Sequence, residues 1–165
     1  IVATLIVVGL FYSKSGQTNS ISNQTSNQTA NGNTKTVATC DENLWQHVYH
    51  PTRLKIIEAC TTVTGTIEII RSEADGDKHI LLKLDPEFKD LVNEKNISQQ
   101  KGDLILEPVC VGHDTQVDAI SACQGYSSPI RIPSVGSHVR VVGSYVLDTA
   151  HGWNEIHPVS VIEQL

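Results

Sequence analysis

Thr61-Thr62-Val63-Thr64-Gly65-Thr66-Ile67-Glu68-Ile69 is the stretch on which the fold turns. Val63, Gly65, Ile67 and Ile69 alternate with mostly polar residues, the period of two of a half-buried strand. Gly65 at its centre predicts a sharp bend or a close backbone contact. Downstream, Asp75-Gly76 marks a turn, and Lys78-His79-Ile80-Leu81-Leu82-Lys83-Leu84 completes a first hairpin with a longish connection. Lys101-Gly102-Asp103 opens a third strand, Leu104 to Val109. Val135-Gly136 leads into a fourth, His138 to Leu147, with Val139, Val141, Gly143, Tyr145 and Leu147 on one face. A turn at Ala150-His151-Gly152 precedes the fifth, Glu155 to Ile162.

Short helices fill two gaps. Asp41 is placed to cap a helix whose apolar side is Leu44, Val48 and Trp45, and which Pro51 stops. Phe88, Leu91 and Val92 after Asp85-Pro86 have the spacing of one or two helical turns. Five strands with polar punctuation bury their inner faces by closing into a small barrel, which also removes exposed edges. The expected fold is therefore mainly β, a five-stranded OB-like barrel, with an open β-sandwich as the alternative. Two features depart from the usual OB pattern. The helix falls between the second and third strands, and the slot after the third strand holds an insertion, Cys110 to Pro133.

The barrel is expected over residues 37–165, and what precedes it has a different character. Residues 1–12, IVATLIVVGLFY, are apolar and uncharged, but at ~1.5 Å per residue they extend only about 18 Å of a hydrocarbon core roughly 30 Å thick. The chain contains no Met, so this run reads as the tail of a longer membrane anchor or signal segment. Residues 13–36 contain 18 Ser, Thr, Asn or Gln residues out of 24, too few apolar groups to repay the entropy of ordering, and read as a disordered tether. Glycosylation patterns stand at Asn23, Asn27 and Asn96. These features predict an extracytoplasmic protein, at the cell surface or secreted, held to the membrane through its N-terminal segment.

Cys40, Cys60, Cys110 and Cys123 contain no Cys-x-x-Cys pair, so the knuckle of a structural zinc site is missing and disulfides are the better reading. Of three pairings, Cys40–Cys60 and Cys110–Cys123 are favoured because each closes a short local loop. Four buried free thiols in a reducing compartment are the alternative.

Charge narrows the function classes. The chain has 18 acidic and 12 basic residues, net charge −6, and residues 37–165 carry 10 basic against 18 acidic, or −8. Phosphate-backbone affinity comes chiefly from Lys and Arg, and the second and third strands contain no aromatic platform. Both features argue against nucleic acid as a partner. There is no Gly-x-Ser-x-Gly elbow and no phosphate loop, and disulfides leave no cysteine nucleophile.

Gly143-Ser144-Tyr145-Val146-Leu147-Asp148 followed by His151-Gly152-Trp153-Asn154-Glu155-Ile156-His157-Pro158-Val159 resembles a family of uncharacterised, exported OB-like domains from prokaryotes, chiefly archaea. Val63-Thr64-Gly65-Thr66 and Glu73 through Ile80 look like the same family's first two strands, so the resemblance covers roughly Cys40 to Ile162. It implies a fold and a compartment; it carries no catalytic residue across.

Two polar clusters are the candidate chemistry. Asp148, His151, Glu155 and His157 form one, and Asp75, Asp77 and His79 another. Imidazole with carboxylate suits Zn²⁺ or another divalent ion, which would make the C-terminal four the metal ligands of a hydrolase. Against this, His151 and His157 are six apart and straddle a turn, matching no compact metal motif. The structural reading has His157 bonded to strand backbone, Trp153 plugging a barrel end, and Asp75-Gly76-Asp77 as a turn that lacks the further ligands of a calcium loop. His47 and His50 are read as exposed or capping residues. His79, Trp153 and Tyr126 are the candidate binding residues, the last in a loop a disulfide would stiffen. The function expected is a tethered binding or assembly module with no cofactor, whose partner is an envelope protein, a glycan or a small molecule.

Overall fold

The computed structural model describes residues 39–165; the apolar run, the tether, Asn23 and Asn27 lie outside the described residues. The protein is mainly β. Its strands are β1 (Leu54–Ser72), β2 (Lys78–Leu84), β3 (Leu104–Leu106), β4 (His138–Asp148) and β5 (Asn154–Gln164). They form one mixed sheet in the order β1-β2-β3-β5-β4, and β4 pairs back on β1 so that the ring of pairings closes. All neighbours are antiparallel except β3 and β5.

The 19-residue β1 makes closure possible. Its first part pairs only with β4, Leu54 opposite Asp148, and its last part only with β2, Ser72 opposite Lys78. Between them Gly65 faces both Leu84 and Val139. A Cβ on Gly65 would lie 2.4 Å from the Lys83 carbonyl oxygen. The close approach read from its sequence position is therefore present, and it allows the strand to turn from one neighbour to the other. Register shifts after Ile56, Glu58 and Ile67 add to the bend.

Alternate residues of the strands point inward. Val63 and Ile67, Ile80 and Leu82, Leu104 and Leu106, Val139 and Val141, and Ile156 with Val159 form the interior cluster. Burying each such side chain stabilises by roughly 1.5–3 kcal/mol before entropy is counted. A second cluster lies outside the ring. There Leu44 and Val48, of and beside a 3₁₀ helix over Glu42–His47, pack with Leu54, Val109 and Val146. Asp41 caps that helix as its sequence predicts, accepting from the Asn43 N–H at 3.0 Å.

The Asp85-Pro86 stretch forms a 3₁₀ helix, Pro86–Leu91, and is followed by α1, Glu94–Gln99. The insertion contains one further turn, α2, Ile120–Cys123. Cys40 is bonded to Cys60 and Cys110 to Cys123, the local pairing that chain proximity favours. Among the described residues no helix is long and apolar enough to cross a membrane.

Candidate functional site

Strand register assembles the site. Leu106 of β3 stands opposite Ile80 of β2 and beside Ile156 of β5, all three pointing inward. One residue along, the side chains must point the other way, and that step brings His79, Glu107 and His157 abreast on the outer face of β2, β3 and β5. Glu107 Oε1 lies 3.0 Å from His79 Nδ1, and its Oε2 lies 3.0 Å from His157 Nδ1. Glu155, two residues before His157, places Oε1 3.0 Å from the same Nδ1.

Asp77 completes the cluster from the turn before β2. Its Oδ1 accepts the Cys110 N–H at 2.7 Å, while Oδ2 faces His157 Nε2 at 4.0 Å. Neither of these last two atoms has a hydrogen-bond partner. Both residues are almost wholly enclosed, His157 1% and Asp77 3% exposed.

The buried cluster is strongly polarised. Burial, with the charge of Asp75 adding to it, pushes the Asp77 carboxyl up to about 7. Burial alone would lower His157, but its bonds to Glu107 and Glu155 outweigh that and hold it up at about 10. Burial would raise Glu107 too, yet the two imidazoles beside it keep it well below the usual carboxylate range. Glu155 is raised, first by burial and then by the charge of Glu107. The central arrangement is thus an imidazolium against an ionised Glu107, in a setting where unpaired charge is costly.

Above the cluster opens a cleft of about 400 Å³. Its walls are the β1–β2 hairpin, with Arg71, Glu73 and Asp75, and the β4–β5 turn, with His151 and Trp153; His79 and Glu107 are on its floor. The Trp153 ring stacks on His151 at 4.3 Å and meets His79 edge-on at 6.0 Å. Its Nε1 donates to Glu155 Oε2 at 3.0 Å, tying the rim to the buried cluster. His151 is held in turn by Asp148 Oδ2 at 2.8 Å, and Arg53 Nε lies 3.2 Å from the same oxygen.

The two clusters read from the sequence are therefore cut across. Asp148, His151, Glu155 and His157 divide into two pairs, Asp148 with His151 and Glu155 with His157, and do not form one group of ligand atoms within 4.8 Å of one another. Asp77, Glu107 and His157 do form such a group. Asp77 also neighbours Cys110 and Cys123, but those sulfurs are bonded to each other and offer no thiolate. His157 bonds carboxylates rather than strand backbone. Asp75 keeps its turn role, its Oδ1 accepting the Asp77 N–H at 3.1 Å.

His79 and Trp153 both line the cleft. Tyr126 does not. Its ring stacks on His47 at 4.0 Å and packs on the second apolar cluster, because the disulfide draws the insertion onto the first 3₁₀ helix. His47 bonds the Ala122 carbonyl at 2.8 Å, and His50 lies against Tyr49. Asn96 is also corrected as a glycosylation site. It is fully buried, and both polar atoms of its side chain bond backbone, which leaves no path for a sugar in the folded chain.

Glu107, Gln100 and Arg53 are site residues that sequence reasoning did not single out. Glu107 had a signal, since it is the one charge in the run Leu104-Ile105-Leu106-Glu107-Pro108-Val109. No family model, no curated protein and no solved structure matches this chain.

Proposed function

We propose that the protein is a tethered extracytoplasmic binding module, an OB-like barrel whose outer β2–β3 face and flanking hairpins hold a carbohydrate or a similarly polar small ligand. The observation that carries this reading is the cleft over His79, Glu107 and Trp153. It lies on the second and third strands, between the first hairpin and the last turn, which is where OB barrels take oligonucleotides and oligosaccharides. Its volume is that of a small-molecule pocket, but its wall is richer in polar side chains than an apolar-ligand site. Arg71, Gln100, Gln116, Glu73 and Asp75 supply donors and acceptors for hydroxyl groups, beside the fixed ring of Trp153.

Charge separates the two OB ligand classes. Net charge −8 over residues 37–165 repels a phosphate backbone, whereas a neutral sugar is indifferent to it. The paired disulfides fit an oxidising compartment, and residues 1–36 then serve as anchor and leash, with Asn23 and Asn27 as glycan acceptors. In this reading the metal-hydrolase alternative built on Asp148, His151, Glu155 and His157 is set aside, because those residues pair off two by two.

The test is NMR titration of the full chain with neutral and acidic oligosaccharides. Shifts centred on His79, Gln116 and Trp153, and lost in Arg71→Ala with Gln116→Ala, are expected. Shifts elsewhere, shifts unchanged in that variant, or none with any sugar would overturn the reading.

A further inference from the structure

We infer that Asp77, Glu107 and His157 form a binding site for a divalent transition cation of the zinc or manganese class, beneath the cleft. The proposal starts from two orphaned atoms. His157 Nε2 and Asp77 Oδ2 face each other at 4.0 Å with no hydrogen-bond partner, in residues that are almost fully enclosed. That separation is too long for a hydrogen bond. It suits an ion between them, since bonds of about 2.0–2.2 Å from nitrogen and oxygen span about 3.4 Å at a tetrahedral angle and about 4.1 Å when opposed.

The third ligand is present and releasable. His157 Nδ1 has two carboxylate neighbours at 3.0 Å, Glu107 Oε2 and Glu155 Oε1, although a ring nitrogen carries at most one proton. Binding displaces the Nε2 proton of the imidazolium to solvent, as ligation by an imidazole requires. With the remaining Nδ1–H given to Glu155, Glu107 is free to turn an oxygen onto the ion at Nε2. The carboxylate–imidazole–metal relay that orients metal-bound histidines is then complete, with Glu155 in the outer position. Ligand atoms of Asp77, Glu107 and His157 already lie within 4.8 Å of one another.

Charge favours the same occupant. Asp77, Glu107 and Glu155 bring three carboxyl groups into one buried volume against two imidazoles, His79 and His157, and a divalent cation neutralises what the imidazoles do not. Entry is through the cleft, because Glu107 lies both in the triad and on the cleft floor. The oxygen-and-nitrogen donor set points to borderline ions rather than to thiolate-seeking ones. The site stands whether or not the cleft above it binds a sugar.

The experiment uses the full chain with its disulfides intact, stripped with chelator and titrated with Zn²⁺ by calorimetry, followed by elemental analysis and X-ray absorption. One zinc per chain is expected, in a shell of nitrogen and oxygen only with a single imidazole. Asp77→Asn keeps the acceptor for Cys110 N–H and should weaken binding by more than about 10-fold, while His113→Ala, at an exposed imidazole of the insertion, leaves it unchanged. A bridging water would satisfy the same two atoms, and then no stoichiometric zinc is found. That result, sulfur in the shell, more than one imidazole, or unaltered affinity in Asp77→Asn overturns the proposal. The absorption spectrum of the parent chain decides the matter even if the variant fails to fold.

Discussion

The side chain of Asn96 is bonded to the backbone of Asn154 in both directions, its Nδ2 donating to the Asn154 carbonyl and its Oδ1 accepting the Asn154 N–H, each at 2.9 Å. It thereby acts as one more residue of a strand edge, closing the start of β5 while Nδ2 also reaches the Asp103 carbonyl at 3.1 Å. Replacing it with Ala orphans buried backbone groups, each costing about 1–3 kcal/mol. Asn96→Ala should therefore lose about 2–4 kcal/mol in urea unfolding. Peptide mapping of chain made in a glycosylating host should find Asn96 bare; a glycan there in folded protein would contradict this account.

Gly143 has no room for a methyl group. A Cβ on it would lie 2.4 Å from Ile156 Cγ2 and 2.5 Å from the Pro158 carbonyl oxygen. Gly143→Ala forces β4 and β5 apart at a register shift and should cost at least about 2 kcal/mol by overpacking. Gly112→Ala, whose nearest neighbour is the Gly76 carbonyl oxygen at 3.3 Å, should cost far less. Equal midpoints for the two variants in thermal unfolding would refute the comparison.

What the sequence disclosed and what it hid follow from the range of each interaction. β2 runs from Lys78 to Leu84 as read, and β4 and β5 lie within a residue or two of their expected ends, because alternation and flanking turns are local signals. The first part of β1 was missed. Leu54-Lys55-Ile56-Ile57 does not alternate, and Ile56 and Ile57 are each 52% exposed, so no buried face declares itself. α1 was missed too, since its only apolar residue, Ile97, faces solvent and the helix is held instead by the Asn93 cap. In the site, Glu155 and His157 stood out because they are neighbours in sequence. Glu107 did not, because only the parallel pairing of β3 with β5 brings it to His157.

Asp85 provides a pH test away from the site. It accepts from the Thr64 hydroxyl and from His138 Nε2, the latter at 2.8 Å, and these bonds, Thr64 first, hold its carboxyl below the ordinary value. A depressed folded-state pKa adds stability that is present above the unfolded value, about 3.9, and is lost as pH falls through the folded one. Wild type should thus exceed Asp85→Asn in urea midpoint near neutral pH, and the gap should close as pH drops below about 4. A gap of the same size in acid would rule out this linkage.

The Cys110–Cys123 bond reaches the buried cluster through one residue, because the Cys110 N–H donates to Asp77 Oδ1 at 2.7 Å. Its sulfurs join residues 13 apart in sequence, a loop worth about 3 kcal/mol in the chain-entropy account. Replacing both cysteines with Ala should cost about that much. The loss should also be local. The ring is held by strand pairing that does not pass through the insertion, so hydrogen exchange should speed up across residues 112–128 while the amides of β4 and β5 stay protected. Asp77 loses a fixed partner as the Cys110 backbone loosens, and the cleft floor above it should broaden in the same NMR spectra. If the insertion stays as protected as before, or if β4 and β5 open together with it, then Asp77 is positioned by something other than this bridge.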